Sequence, residues 1–363
     1  MSKSTYQLGI GLRIGALMAM LAVFSGGPAL AATIDEIANL KGPDRQRILE
    51  EGARQEGSVL LSGGLNQDMR VALYAAFMKR YPFIKPDGQR LGSTAALQRT
   101  LAEIRAKTPR TDVVVSSLVV ELKMAGLAQP FHSPILETFP AQFQEPDGFY
   151  GTYRVAYHGI AYNTRLVPKA EAPQTYEDLL DPKWKDKIVW NDSAETGAPL
   201  LIIYLRKIWG EEKAEDYLRK LAKQNIITRP SSLRNVVDLL IAGEHHIMLN
   251  AAFHHVAASR AKGAPVDATM HEPVLARNNY VILLKTAPHP HAAMLLIDFL
   301  MGEEAQKLMG LEQYFPVNPA VAPLDEMIPY DPIRQGKTVL VVDDNLLAQE
   351  KAKSVALFQK YFR

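Results

Sequence analysis

Gly57-Ser58-Val59-Leu60-Leu61-Ser62-Gly63-Gly64 reads as a short buried strand that ends in small residues. Met69–Lys79 follows with Val71, Tyr74, Phe77 and Met78 at helical spacing, stopped before Pro82. Gly92-Ser93-Thr94 opens a second helix with Leu97, Leu101 and Ile104 on one face, and Thr108-Pro109 ends it. Asp112-Val113-Val114-Val115 is the next strand, closing on Ser116-Ser117. This alternation of strand, turn and helix predicts an α/β protein with a mostly parallel sheet. In such sheets ligands sit beyond the carboxyl ends of the strands. Here those ends carry small hydroxyl residues or glycines.

Working outward, a charged helix is expected over about Pro43–Gln55, ahead of the first strand. Before it, Lys3 and Arg13 precede the apolar run Ile14–Phe24, then Ser25-Gly26-Gly27-Pro28 and the small residues Ala29-Leu30-Ala31. That layout is a secretory signal peptide over residues 1–31, cleaved before Ala32. The run is about half of the roughly 20 residues a spanning helix needs. No later stretch reads as a membrane span: Leu200–Leu205 meets Arg206-Lys207 at once.

The 363 residues are 47% hydrophobic and 22% charged, enough apolar material to exclude a disordered chain. The absence of cysteine excludes a disulfide scaffold, a thiol nucleophile and a Cys-built metal site. Beyond residue 31 the basic and acidic residues balance at 39 each, which argues against a nucleic-acid-binding body. A soluble periplasmic protein is expected, and a monomer.

Downstream the pattern changes. Tyr150–Tyr162 is extended and aromatic, Lys187–Trp190 is a strand, and Ala198–Trp209 and Glu211–Gln224 are helices. Ser231-Ser232 caps a helix with Val236, Val237, Leu240 and Ile241 apolar, ended by Gly243. His246–Leu249 is a strand, and Asn250 is expected to cap a helix to about Lys262. Glu272–Leu284 is extended again, His289 to about Leu308 is a helix, and Asn345–Tyr361 is the last. One α/β body, a second body and a return strand make a two-lobed chain crossed twice.

Several stretches resemble one family in order and spacing. Asp181–Ile188 (DPKWKDKI), Gly159–Thr164, Gly243-Glu244, Lys262–Val266, Ala287–Ala293, Ile297–Leu300 with Gln306, and Tyr314–Val317 are similar to segments of bacterial solute-binding proteins. The resemblance covers about Val59 to Ala320. It implies a type II periplasmic solute-binding protein of an ABC transporter, in the ferric-iron, thiamine and phosphonate branch. The implied fold is α/β and two-lobed, each lobe a mostly parallel sheet with flanking helices, joined by two extended hinge strands. The implied domains are lobe I, 32–155 with 275–318; lobe II, 156–274; and a C-terminal helical tail, 319–363. The implied partners are a small-molecule solute and an inner-membrane ABC permease. The natural hinges are Tyr157–Asn163 and Glu272–Ile282, since they join the two bodies twice.

For the solute, ferric iron is tested first. Iron binders of the resembled family use two adjacent tyrosines in a motif like Asn-x-Tyr-Tyr, where this chain has Asn250-Ala251-Ala252-Phe253. The tyrosinate ligands are missing. His254 and His255 follow, but adjacent helical residues point about 100° apart, so the pair is a poor metal site. His245-His246, in or before a strand, point to opposite faces. An alternative keeps iron, held by other ligands or with a synergistic anion. The favoured solute is an oxyanion, carboxylate or zwitterion. Gly92-Ser93-Thr94, Thr196-Gly197 and Ser231-Ser232 stand at helix N-termini, where free N–H groups favour a negative group. Arg234 adds a cationic clamp. Plain N-capping remains the competing reading of each. Asp192 and Glu195 either exclude a free anion or receive the amine of a zwitterion.

The expected ligand-binding residues are Ser62, Gly63, Gly64, Gly92, Ser93, Thr94, Ser116, Ser117, Tyr157, Thr196, Gly197, Ser232, Arg234, Asn250 and Phe253. No metal and no cofactor is expected. An exported hydrolase or transferase is the competing class. However, no Gly-x-Ser-x-Gly elbow and no His-Glu-x-x-His occurs, and no nucleophile–base–orienter set is visible. Gly336-Lys337-Thr338 precedes an apolar run at Val339–Val342 instead of a helix, so it is not a phosphate loop.

Overall fold

The computed structural model describes residues 32–65, 67–116, 119–193 and 197–363. The expected signal peptide, Ser117, Glu195 and Thr196 lie outside the described residues, as do the side chains of Ser93 and Thr94. Thr33–Arg363 forms one compact unit.

Among the described residues, eleven strands make one hydrogen-bonded sheet. They are β1 (Ser58–Gly63), β2 (Lys85–Arg90), β3 (Val113–Ser116), β4 (Ala128–Gln129), β5 (Gly151–Asn163), β6 (Ile188–Asn191), β7 (Ile227–Arg229), β8 (Ile247–Ala252), β9 (Val266–Thr269), β10 (Val274–Leu284) and β11 (Val339–Val341). The order is β2-β1-β3-β10-β5-β8-β6-β7, with β4 and β11 on β10 and β9 on β5. Pairing is parallel among β2, β1 and β3 and again among β8, β6 and β7. The two parallel groups are joined by β5 and β10, which are antiparallel to their neighbours β3 and β8 and to each other. The sheet is therefore two parallel halves stitched by two long strands, the two-lobed arrangement expected from the resemblance.

Alternation along each strand sorts the apolar side chains into layers. Val113, Val115, Val281 and Leu283 join the largest core cluster with the helix Pro290–Met301, and Val189 and Met248 join it with the helices Leu233–Ala242 and Phe253–Ala261. On the opposite face, Val114 and Ile282 pack with Ala96 and Leu122 in the first half. In the second half, Ile188 and Trp190 pack with the helix Ala198–Trp209 and with Leu357 and Phe358 of the C-terminal helix Asp344–Phe362. Helices thus cover both faces, which a mostly parallel sheet requires. Among the described residues no helix is long and apolar enough to cross a membrane.

Two boundaries depart from expectation. β8 runs on through Ala252, so the following helix is Phe253–Ala261 with Ala252 at its N-cap, and Asn250 lies inside the strand at φ +55°. The long helix expected after His289 is two, Pro290–Met301 and Glu303–Leu311, broken at Gly302.

Candidate functional site

A cleft of about 540 Å³ lies beyond the ends of parallel strands from both halves, β2 in the first and β6, β7 and β8 in the second. Arg90, the last residue of β2, reaches it from the first half. From the second half come Ser193 after β6, Ser231 and Ser232 after β7, and Ala252 at the end of β8 with His254 and His255 beyond it. Binding beyond strand carboxyl ends is what a parallel sheet predicts.

The through-running strands supply the rest. Residues two apart on a strand share a face, and Arg154, Ala156 and His158 of β5 line the cleft together with Arg277 and Asn279 of β10. The register places Arg154 opposite Asn279 and Ala156 opposite Arg277, so these residues form one patch. Tyr314 lines the cleft as well.

Three of the guanidiniums are held by neighbours. Arg154 donates from Nη2 to Asn279 Oδ1 at 3.2 Å, and its guanidinium carbon lies 4.2 Å from the centre of the Tyr314 ring. Arg234 donates from Nη1 to Ser259 Oγ at 2.8 Å and to the His255 carbonyl at 3.2 Å, and pairs with Asp238. Arg277 forms a buried ion pair with Asp344 and donates to the Val342 carbonyl at 3.2 Å. Arg90 is exposed at the rim. The described residues lining the cleft include no carboxylate.

The cleft holds its imidazoles neutral. His158 is 3% exposed, and burial pushes it down to about 4; the Asn250 carbonyl 3.4 Å from its Nδ1 opposes that shift and Arg277 adds to it. Burial and then Arg234 push His255 down to about 4. His254 is pushed well below the usual range by burial first, then by His255, His158, Arg154 and Arg234.

Of the residues expected from sequence, Ser232 and Arg234 line this cleft. Ser232 also caps its helix, accepting from the Asn235 N–H at 3.1 Å. Ser62, Gly63, Gly64, Gly92 and Ser116 lie at the same strand ends as Arg90 but outside the cleft lining. Tyr157 is one residue out of phase: it faces the core against Phe315, ring centres 5.0 Å apart. Phe253 is fully buried against Tyr330, because β8 continues to Ala252 and turns the next side chain inward. Asn250 is structural, donating to the Gly197 carbonyl at 3.1 Å. Gly197, at the N-cap of the helix Ala198–Trp209, packs on Asn191, where a side chain would collide. Asp192 pairs with Arg363 at 2.6 Å.

Sequence reasoning missed Arg90, Arg154, His158, Arg277, Asn279 and Tyr314 of the lining, and set His254 and His255 aside as a poor metal site. A signal was present: Arg154 and His158, and the run Arg277-Asn278-Asn279, put polar groups inside otherwise apolar buried strands.

Two parallel half-sheets stitched by two shared strands, with a polar cleft where the halves meet, define a receptor that encloses a small solute. The chain belongs to the family described as bacterial extracellular solute-binding proteins, whose sequence profile matches residues 108–348. It is a solute-binding component of ABC transport, not an enzyme. It is similar to Iron uptake protein A1 of Synechocystis, 27% identical over 79% of this chain and 84% of that one. It is also similar to a Salmonella typhi protein named for 2-aminoethylphosphonate binding, 23% identical over 65% and 70%. Among solved structures, the Trichodesmium protein IdiA (FutA) with iron and citrate matches with a TM-score of 0.71 at 23% identity, over 84% of this chain and 99% of that one. AfuA from Actinobacillus pleuropneumoniae with fructose-6-phosphate matches with a TM-score of 0.66 at 22% identity, over 85% and 99%. At these identities the two structures speak for the fold.

Proposed function

We propose that this chain is a periplasmic receptor that captures a small anionic solute in the cleft and delivers it to an inner-membrane ABC permease. The observation that carries the reading is the lining itself: four guanidinium groups and no carboxylate among the described residues. Arg is suited to bidentate recognition of phosphate and carboxylate oxygens. The serines at the start of the helix Leu233–Ala242 add hydroxyls and backbone N–H groups on the same wall. In this reading the chain is exported by residues 1–31 and works as a monomer. Its lobes are 32–155 with 275–318, and 156–274, with 319–363 as a tail. β5 and β10 are the hinge, so contacts from both walls favour one closed state that the permease distinguishes.

A second reading is supported by the relatives named for iron uptake. Among the described residues the lining holds one phenol, Tyr314, and no carboxylate, a poor set for bare ferric iron. An anionic iron–citrate chelate would meet the same guanidiniums.

The test is thermal melting and calorimetry of the mature protein with fructose 6-phosphate, 2-aminoethylphosphonate, citrate, ferric citrate and ferric iron alone. A solute at about 100 times its Kd stabilises by about 2.7 kcal/mol, a shift of a few degrees. A phosphate, phosphonate or carboxylate that shifts Tm in wild type and loses about 10- to 100-fold in affinity in Arg154→Gln supports the anion receptor. A shift with ferric citrate and not with citrate selects the chelate. A shift with ferric iron alone overturns both readings.

A further inference from the structure

Three imidazoles share the cleft with the four guanidiniums. His158 comes from β5, and His254 and His255 from the first turn of the helix Phe253–Ala261. The His254 and His255 rings lie 4.1 Å apart, and His254 faces the Tyr314 ring at 5.3 Å. His254 Nδ1 is buried without a hydrogen-bond partner. The groups facing this cluster are Arg154 from β5, Arg277 from β10, Arg234 with Asp238 from the helix Leu233–Ala242, Tyr314, and Arg90 at the rim. Asp344 matches Arg277 and Asp238 matches Arg234. Among the described residues no carboxylate pairs with Arg90 or Arg154. Among the described residues the cleft therefore carries about two uncompensated positive charges around neutral imidazoles.

We infer that the solute is a dianion and that it enters together with a proton, taken up by the His158–His254–His255 cluster. This rests on the anion-receptor reading. Two negative charges balance Arg90 and Arg154. An anionic oxygen beside an imidazole then reverses the field that kept the ring neutral. A neutral ring offers one N–H and one lone pair, and the lone pair repels an anionic oxygen; protonation turns both nitrogens into donors. The unpartnered His254 Nδ1 lies where that exchange happens.

The experiment is calorimetric titration of the mature protein with fructose 6-phosphate, 2-aminoethylphosphonate and citrate at about pH 6, in two buffers of different ionisation heat. Wild type is compared with His254→Asn, which cancels the solute's own titration. Wild type is expected to take up on the order of one proton more than the variant. Its Kd is expected to rise with pH by up to about tenfold per unit between about pH 6 and 8, and less steeply in the variant. His255→Asn makes the same comparison if His254→Asn does not fold. Charge is tested at about pH 8 with fructose 6-sulfate, which has the shape of the phosphate and one negative charge fewer. At least about tenfold weaker binding is expected. Tight solute binding with equal proton uptake in wild type and variant overturns the proton step alone. Equal affinity for the sulfate and phosphate esters, or a cleft that takes citrate and neither ester and binds it more tightly at about pH 8 than at about pH 6, overturns the dianion. No binding of any probe overturns the anion receptor itself.

Discussion

Gly63 stands at φ +141°, in the region of backbone space that favours glycine. A Cβ built there would collide with the carbonyl oxygen and Cγ2 of Val115 on the neighbouring strand. Gly63 therefore sets how closely β1 and β3 approach, and Gly63→Ala is expected to destabilise the protein by about 1–3 kcal/mol, read as a drop in melting temperature. The same residue read from sequence as a ligand contact because it ends a strand. At this scale a sequence shows which residue types stand where, but not which way each points. Tyr157 and His158 illustrate the limit: adjacent on β5, one fills the core and the other lines the cleft. The phase of a strand buried on both faces is not written in its apolar pattern, because both faces are apolar. Its polar exceptions narrow the choice without settling it: Arg154, His158, Arg277 and Asn279 fall on the cleft face, while Thr152 and Asn278 do not.

Elements were far more legible than side-chain directions. The helix Ala198–Trp209 stands where its pattern put it, and the helix Leu233–Ala242 is capped by Ser232 and stopped at Gly243 as read. Apolar periodicity and capping chemistry are local, so they survive without tertiary context. β2 escaped notice because Lys-Pro-Asp-Gly-Gln-Arg has no strand composition. It is held as a strand by parallel pairing with β1, a non-local cause. The tie between the C-terminal helix and β10 is also non-local. Arg277 and Asp344 are 67 positions apart, with side chains 4% and 2% exposed. Further along, the same helix meets the helix Ala198–Trp209 through Arg206, which pairs with Glu350 at 2.7 Å and donates to Ser354 Oγ at 3.0 Å. Asp344→Asn takes the carboxylate away from a buried guanidinium. It is expected to cost about 3–5 kcal/mol, visible as a lowered denaturant midpoint with an unchanged m-value.

Across the whole molecule, a formal net charge of +2 conceals a concentration of positive charge in one cleft. The global charge predicts solubility and says nothing of the site. That concentration has a consequence for the solute-free protein. His158 and His255 titrate at about 4 in the folded chain and near 6.5 when unfolded, and His254 is lowered in the same direction. Between these values the unfolded chain binds more protons, so stability falls as pH drops from about 6.5 toward 4. Each such group contributes up to about 1.4 kcal/mol per pH unit inside that window. Asp112, Asp298 and Asp331, raised mainly by burial, work in the opposite direction, because the folded state holds their protons more tightly. The histidine share is isolated by difference: Tm of the solute-free protein is expected to fall between about pH 7 and pH 5, and to fall less in His254→Asn. Parallel pH profiles for the two proteins would place the acid sensitivity elsewhere than in the cleft. A shallower profile in the variant would mean that unfolding by acid and capture of an anion draw on the same buried imidazoles, whose desolvation costs stability and prepares the cleft to take a proton with its solute.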